Sequence, residues 1–78
     1  MIHGYLVYVC NDCNEEITFS FKELHDAMTL YRSAKHDETV TVITLDAIEC
    51  DDNEPDVYIG SQKIRFYENG YDYVYNKV

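Results

Sequence analysis

The alternation of apolar and polar positions gives most of this chain a β reading. Tyr5 to Cys10 (Tyr-Leu-Val-Tyr-Val-Cys) is a run of β-branched and aromatic residues and predicts a strand. Asn11-Asp12-Cys13-Asn14 has turn chemistry. A second strand follows from Glu16 to Phe19, with Ile17, Phe19 and Phe21 alternating against Thr18 and Ser20. The two runs predict an antiparallel hairpin.

The period then changes. Leu24, Ala27, Met28 and Tyr31 mark one helical face, with Phe21 above them; Lys22, Asp26, Thr29 and Ser33 mark the other. Ser20-Phe21-Lys22-Glu23 fits a capping box, and Phe19 with Leu24 fits the accompanying hydrophobic staple. Lys35 and His36 suit the negative end of the helix dipole. The spacing predicts a helix over 21–35.

Thr39 to Glu49 is again β-branched, but its phase slips. Val40 and Val42 share one phase, and Ile43, Leu45 and Ala47 share the other. That predicts either a bulge or a strand buried on both faces. An acidic loop over 50–55 comes next, closed by Pro55. The remainder reads as a three-stranded meander with two-residue turns at Gly60-Ser61 and Asn69-Gly70. The second turn pairs Phe66 with Tyr73, Arg65 with Val74 and Ile64 with Tyr75. The first pairs Val57 with Ile64 and Asp56 with Arg65. Together they place Val57, Ile59, Ile64, Phe66, Tyr73 and Tyr75 on one face, and Lys63, Arg65, Tyr67 and Asp72 on the other. The expected fold is α+β: a single antiparallel sheet of five to six short strands, with one amphipathic helix packed on its apolar face.

Seventy-eight residues predict one small domain, and 46% hydrophobic content is that of a folded chain. Eight Tyr and no Trp supply side chains suited to the margins of a thin core and to binding faces. Three Cys is an odd number, which argues for thiols in a reducing cytoplasm. Met1-Ile2-His3-Gly4-Tyr5 lacks a basic region and a cleavage pattern, so no signal peptide is expected. No stretch approaches the ~20 apolar residues of a membrane span.

Charge changes the picture most. Fifteen acids against six bases give a net charge of −9 and argue against direct binding to nucleic acid or to anionic membrane. The excess is concentrated. No Lys or Arg lies between Lys35 and Lys63, while that stretch holds Asp37, Glu38, Asp46, Glu49, Asp51, Asp52, Glu54 and Asp56.

Three chemistries could draw on the residues of this chain. Cys10-x-x-Cys13 resembles half of a zinc knuckle, but a structural site needs four ligands. Cys50, His3, His25 and His36 are the scattered remaining candidates. The run Asp51–Asp56 lacks the Gly and the terminal Glu of a calcium-binding helix–loop–helix loop. No nucleophile–base pair, phosphate-binding Gly loop or carboxylate pair in an apolar pocket is visible, so neither an enzyme nor a cofactor is expected.

The expectation that remains is an interaction module, an inhibitor or regulator of a basic, nucleic-acid-binding protein. Asp46, Glu49, Asp51, Asp52 and Glu54 would supply charge, and Tyr58 and Tyr67 would serve as aromatic anchors at their rim. Asp56, paired with Arg65 in the expected register, is expected to be neutralised and to contribute no charge to the ledge. A sharper form is nucleic-acid mimicry, since alternate residues on one strand face lie roughly 6.6–7 Å apart, close to two ~3.4 Å steps of a DNA strand. By analogy of type, resting on no motif, a small acidic Tyr-rich domain of this kind is expected among phage-encoded inhibitors of host defence, anti-CRISPR proteins included, or of host transcription. The alternatives are a small zinc-knuckle-like domain on Cys10 and Cys13, and a homo-oligomer joined through Tyr8, Tyr67 and the strand Tyr71–Tyr75.

Overall fold

In the computed structural model, which describes residues 2–54 and 56–75, the chain forms one antiparallel sheet with one helix. The elements are β1 (Ile2–Asn11), β2 (Glu16–Phe21), α1 (Leu24–Lys35), β3 (Val40–Cys50), β4 (Tyr58–Glu68) and β5 (Tyr71–Val74). The strand order is β2-β1-β3-β4-β5. The α+β architecture expected from the pattern is therefore observed, with five strands.

The β1–β2 hairpin turns on Asn11. Its Oδ1 accepts the backbone N–H of Cys13 at 2.9 Å and of Glu15 at 3.0 Å. Asn14 takes a left-handed φ of 60°, which Asn tolerates better than most residues. The Asp12 N–H donates to the Thr39 carbonyl at 2.8 Å and ties this turn to the loop after the helix.

Ser20 does not cap the helix. The ladder to β1 continues through Leu6↔Ser20 and Tyr5↔Phe21, so Ser20 lies in β2. The helix begins three residues later than the pattern predicts; its N-cap is Glu23, in extended backbone, with no side-chain cap. Two extra ladder pairs outweigh a cap worth about 1 kcal/mol. The C-terminal limit at Lys35 is as expected.

Ala27, Met28 and Tyr31 of α1 pack on Val7 of β1, on Ile43, Leu45 and Ala47 of β3, and on Ile64 of β4. Tyr5, Val9, Phe21, Leu24 and Tyr67 border this cluster. The helix thus covers the sheet face formed by the odd positions of β1 and of β3 beyond Ile43.

Bulges set the phases. Cys10 pairs with Val42 but Asn11 with Val40, which leaves Thr41 as the extra residue. This bulge is the phase slip visible in the sequence, and it lets both Val40 and Ile43 face the helix.

Gly60-Ser61 is not a turn. Gly60 and Ser61 stand mid-strand opposite Glu49 and Ile48, and β4 runs uninterrupted for 11 residues. An equally long β3 alongside offers a full ladder, which a turn would forfeit. Asp56 consequently lies in the loop before β4, away from Arg65, which pairs with Leu45 and Val74.

The Asn69-Gly70 turn is formed, with φ of 47° and 93°, the positive values that a tight hairpin turn requires. It sets Phe66↔Tyr73 and Arg65↔Val74 as expected, and the Tyr75 N–H donates to the Ile64 carbonyl at 2.9 Å. A second bulge, at Ile64 between Leu45↔Arg65 and Asp46↔Lys63, corrects the expected faces. Ile64 turns into the core, while Lys63 joins Phe66, Tyr73 and Tyr75 on the side away from the helix.

Candidate functional site

The acidic loop is the tip of the long β3–β4 hairpin. The Asp51 N–H donates to the Val57 carbonyl at 3.0 Å, and the Val57 N–H donates to the Glu54 carbonyl at 2.9 Å. The Asp51 carboxylate accepts the N–H of Asn53 at 2.8 Å and of Glu54 at 3.2 Å. Asp51 therefore holds the loop shape with the carboxylate that was expected to face a partner. Asp52, Asn53, Glu54 and Asp56 are exposed. No Lys or Arg occurs between Cys50 and Ser61.

The tip has an apolar base. Ile2, Val57, Tyr58 and Ile59 are among the exposed large hydrophobic residues, with Tyr58 at 63%. They are exposed because α1 packs farther along the sheet, over Ile43 to Ala47. Alternation in the sequence placed Val57 and Ile59 in a buried meander face; what it could not show was where the helix ends its cover. Tyr58, opposite Cys50, stands at the tip as expected.

The other expected residues separate. Asp46 lies in the middle of β3, opposite Lys63, on the sheet face away from the helix. Partial burial raises its carboxyl pKa, against the opposing influence of Lys63 and a hydrogen bond from Thr44. Glu49 has the opposite phase and faces the helix side. Asp46 and Glu49 thus share no face, and β3 carries no row of alternate carboxylates with phosphate-like spacing.

Tyr67 is not an anchor at the rim. It pairs with Ile43 and borders the core, roughly 23 Å along β3 from Cys50 at ~3.3 Å per residue.

The thiols do not converge. Cys10 pairs with Val42 and Cys50 with Tyr58, roughly 26 Å apart by the same rise. Cys13 is exposed in the β1–β2 turn. Among the described residues, no group of three or more His, Cys, Asp or Glu side chains is placed to hold a metal ion. No helix among them is long and apolar enough to cross a membrane.

A polar pin links helix and sheet at the other end. The Tyr31 hydroxyl donates to Asp72 Oδ1 at 2.7 Å, and Lys35 Nζ donates to Oδ2 at 2.7 Å, with Arg65 at 3.6 Å. Burial would raise the Asp72 carboxyl, but the hydrogen bonds from Lys35 and Tyr31 and the charges of Lys35 and Arg65 outweigh it. Its pKa falls below the ordinary value. Tyr31 is driven strongly upward by burial and by this bond.

Near the β2 edge the Tyr8 hydroxyl donates to Glu16 at 2.6 Å, and that bond raises the Tyr8 pKa. Both clusters orient neighbouring elements.

Compared with known proteins, the chain matches no family model, no curated protein and no solved structure.

Proposed function

We propose that the chain is a protein-interaction module, an inhibitor or regulator, that docks its acidic hairpin tip on a basic surface of a nucleic-acid-binding protein. The observation that carries this reading is the shaped tip. Asp52, Glu54 and Asp56 stand exposed on a loop held by Asp51, with no base among residues 50–61. Exposed carboxylates on a fixed loop offer directional attraction to Lys and Arg at little ordering cost. Tyr58 and the apolar residues around it supply the desolvated contact that charge alone lacks. Nucleic-acid mimicry in the strict sense of phosphate-spaced carboxylates gains no support from β3, where Asp46 and Glu49 point to opposite faces. The reading is therefore electrostatic docking in place of a phosphate ruler.

The test is capture from the natural host's lysate with the wild-type protein and with the Asp52→Lys/Glu54→Lys/Asp56→Lys variant, at low and high salt. Asp51 is left intact so that the loop keeps its shape. Exposed ion pairs contribute roughly 0.2–1 kcal/mol each. Three reversals should therefore weaken a captured complex on the order of 100-fold, and salt should weaken the wild-type complex steeply. A partner held equally well by the variant, or unaffected by salt, would overturn the reading.

A further inference from the structure

The sheet has a second face, opposite the helix, on which no helix or strand of the described residues packs. Leu6, Val42, Ile48 and Phe66 alternate away from the helix and none borders the core cluster. They form a half-buried floor beside Tyr73 and Tyr75, which are 47% and 57% exposed. Phe66 and Tyr73 stack with ring centroids 6.0 Å apart, and Lys63 Nζ lies 5.0 Å from the Phe66 centroid and 5.7 Å from that of Tyr75. Apolar faces of this extent on soluble proteins mark interaction surfaces.

The charge on this face argues for its occupant. By register and alternation it carries Glu16, Asp46 and Glu68 of the chain's fifteen acids, with Glu16 on the edge strand and Glu68 at the end of β4. A basic partner would find little to attract it here. At the centre Asp46 and Lys63 are register partners. A two-fold axis passing between them sets each carboxylate over the other copy's ammonium, so the face is complementary to itself.

Its size also fits. Five strands at ~4.8 Å and roughly 20 Å of strand length give a footprint on the order of 500 Å² per copy. Two copies bury about 1,000 Å², the low end for specific association.

We propose that the uncovered sheet face, centred on Asp46 and Lys63 and walled by Phe66, Tyr73 and Tyr75, is the interface of a reversible homodimer in which two sheets stack face to face. The helices lie outside, and the acidic tips stay free. Most of the net charge sits off this face and is screened beyond ~8 Å at physiological ionic strength. Dimerisation should therefore strengthen with salt, the opposite of docking through the tip, so the two ideas fail separately.

Sedimentation equilibrium of the full chain across micromolar to millimolar concentration tests it. The expected result is a monomer–dimer equilibrium with Kd in the micromolar range, tightened by salt and weakened at least 10-fold by Leu6→Lys/Tyr73→Lys. A monomer at all concentrations overturns the proposal. So does a dimer that a folded Leu6→Lys/Tyr73→Lys variant leaves unchanged, which would place the contact at a strand edge. Should that variant lose its circular dichroism, zero-length cross-linking of mixed light and isotopically heavy wild-type copies decides. An Asp46–Lys63 link between light and heavy chains supports the interface, and a dimer without it refutes the interface.

Discussion

Replacing Asp72 by Ala should be the most costly single change outside the apolar core. Tyr31 is fully buried, and its hydroxyl donates to Asp72 at 2.7 Å. Removing that acceptor leaves a buried donor unsatisfied, at roughly 1–3 kcal/mol. The ion pair with Lys35 joins side chains that are 28% and 27% exposed, so its loss adds no more than about 1 kcal/mol. The sum is roughly 1–4 kcal/mol, against the ~4–12 kcal/mol that a chain of this length has in total. The corresponding fall in Tm is roughly 5–30 °C.

Thermal and urea unfolding followed by circular dichroism measure this directly. A double-mutant cycle with Tyr31→Phe should return a coupling of about 1–2 kcal/mol. The acid limb supplies a second reading. Because the folded Asp72 pKa lies below its unfolded value of ~3.9, its stabilisation is fully present above that value. It is lost as pH falls through the folded pKa. The stability gap between wild type and Asp72→Asn should therefore be constant down to about pH 5 and close at lower pH. A loss below about 0.5 kcal/mol for Asp72→Ala, or simple additivity with Tyr31→Phe, would refute the pin.

Two further outcomes follow from the local geometry. Ser20→Ala should change stability by less than about 0.5 kcal/mol in urea unfolding, because Ser20 is an exposed strand residue; a loss near 1 kcal/mol would restore the capping role. Asp51→Ala should raise amide exchange at Asn53 and Glu54, whose N–H groups it holds, while global stability falls by about 1 kcal/mol or less.

The features legible in the sequence were those governed by neighbours a few residues apart. Asn69-Gly70 named its turn because few other residue pairs accept two positive φ values. The phase slip over Val40 to Ile43 signalled either a bulge or a strand buried on both faces; the bulge falls at Thr41, so Val40 and Val42 face opposite sides of the sheet. The misread features depended on distant partners. Ser20 looked like a cap until Leu6 and Tyr5 claimed it and Phe21 for the ladder. Gly60-Ser61 looked like a turn until β3 offered Glu49 and Ile48 as partners.

The site divided in the same way. The acidic loop and Tyr58 could be placed from local composition. The Ile64 bulge decided the faces of Lys63 and Phe66, and nothing in the local pattern signals it. Which sheet face is left without a helix depends on the side on which α1 packs.

The separation between where α1 packs and where the β3–β4 hairpin ends has an evolutionary consequence. Ala27, Met28 and Tyr31 anchor on residues no farther along β3 than Ala47, while Asp52, Glu54 and Asp56 lie beyond Cys50. Substitutions that rewrite the charge or length of the tip meet almost none of the contacts that keep the chain folded. The tip is thus free to diverge at little cost to folding, and lineages sharing this scaffold should differ most in the seven residues between Cys50 and Tyr58.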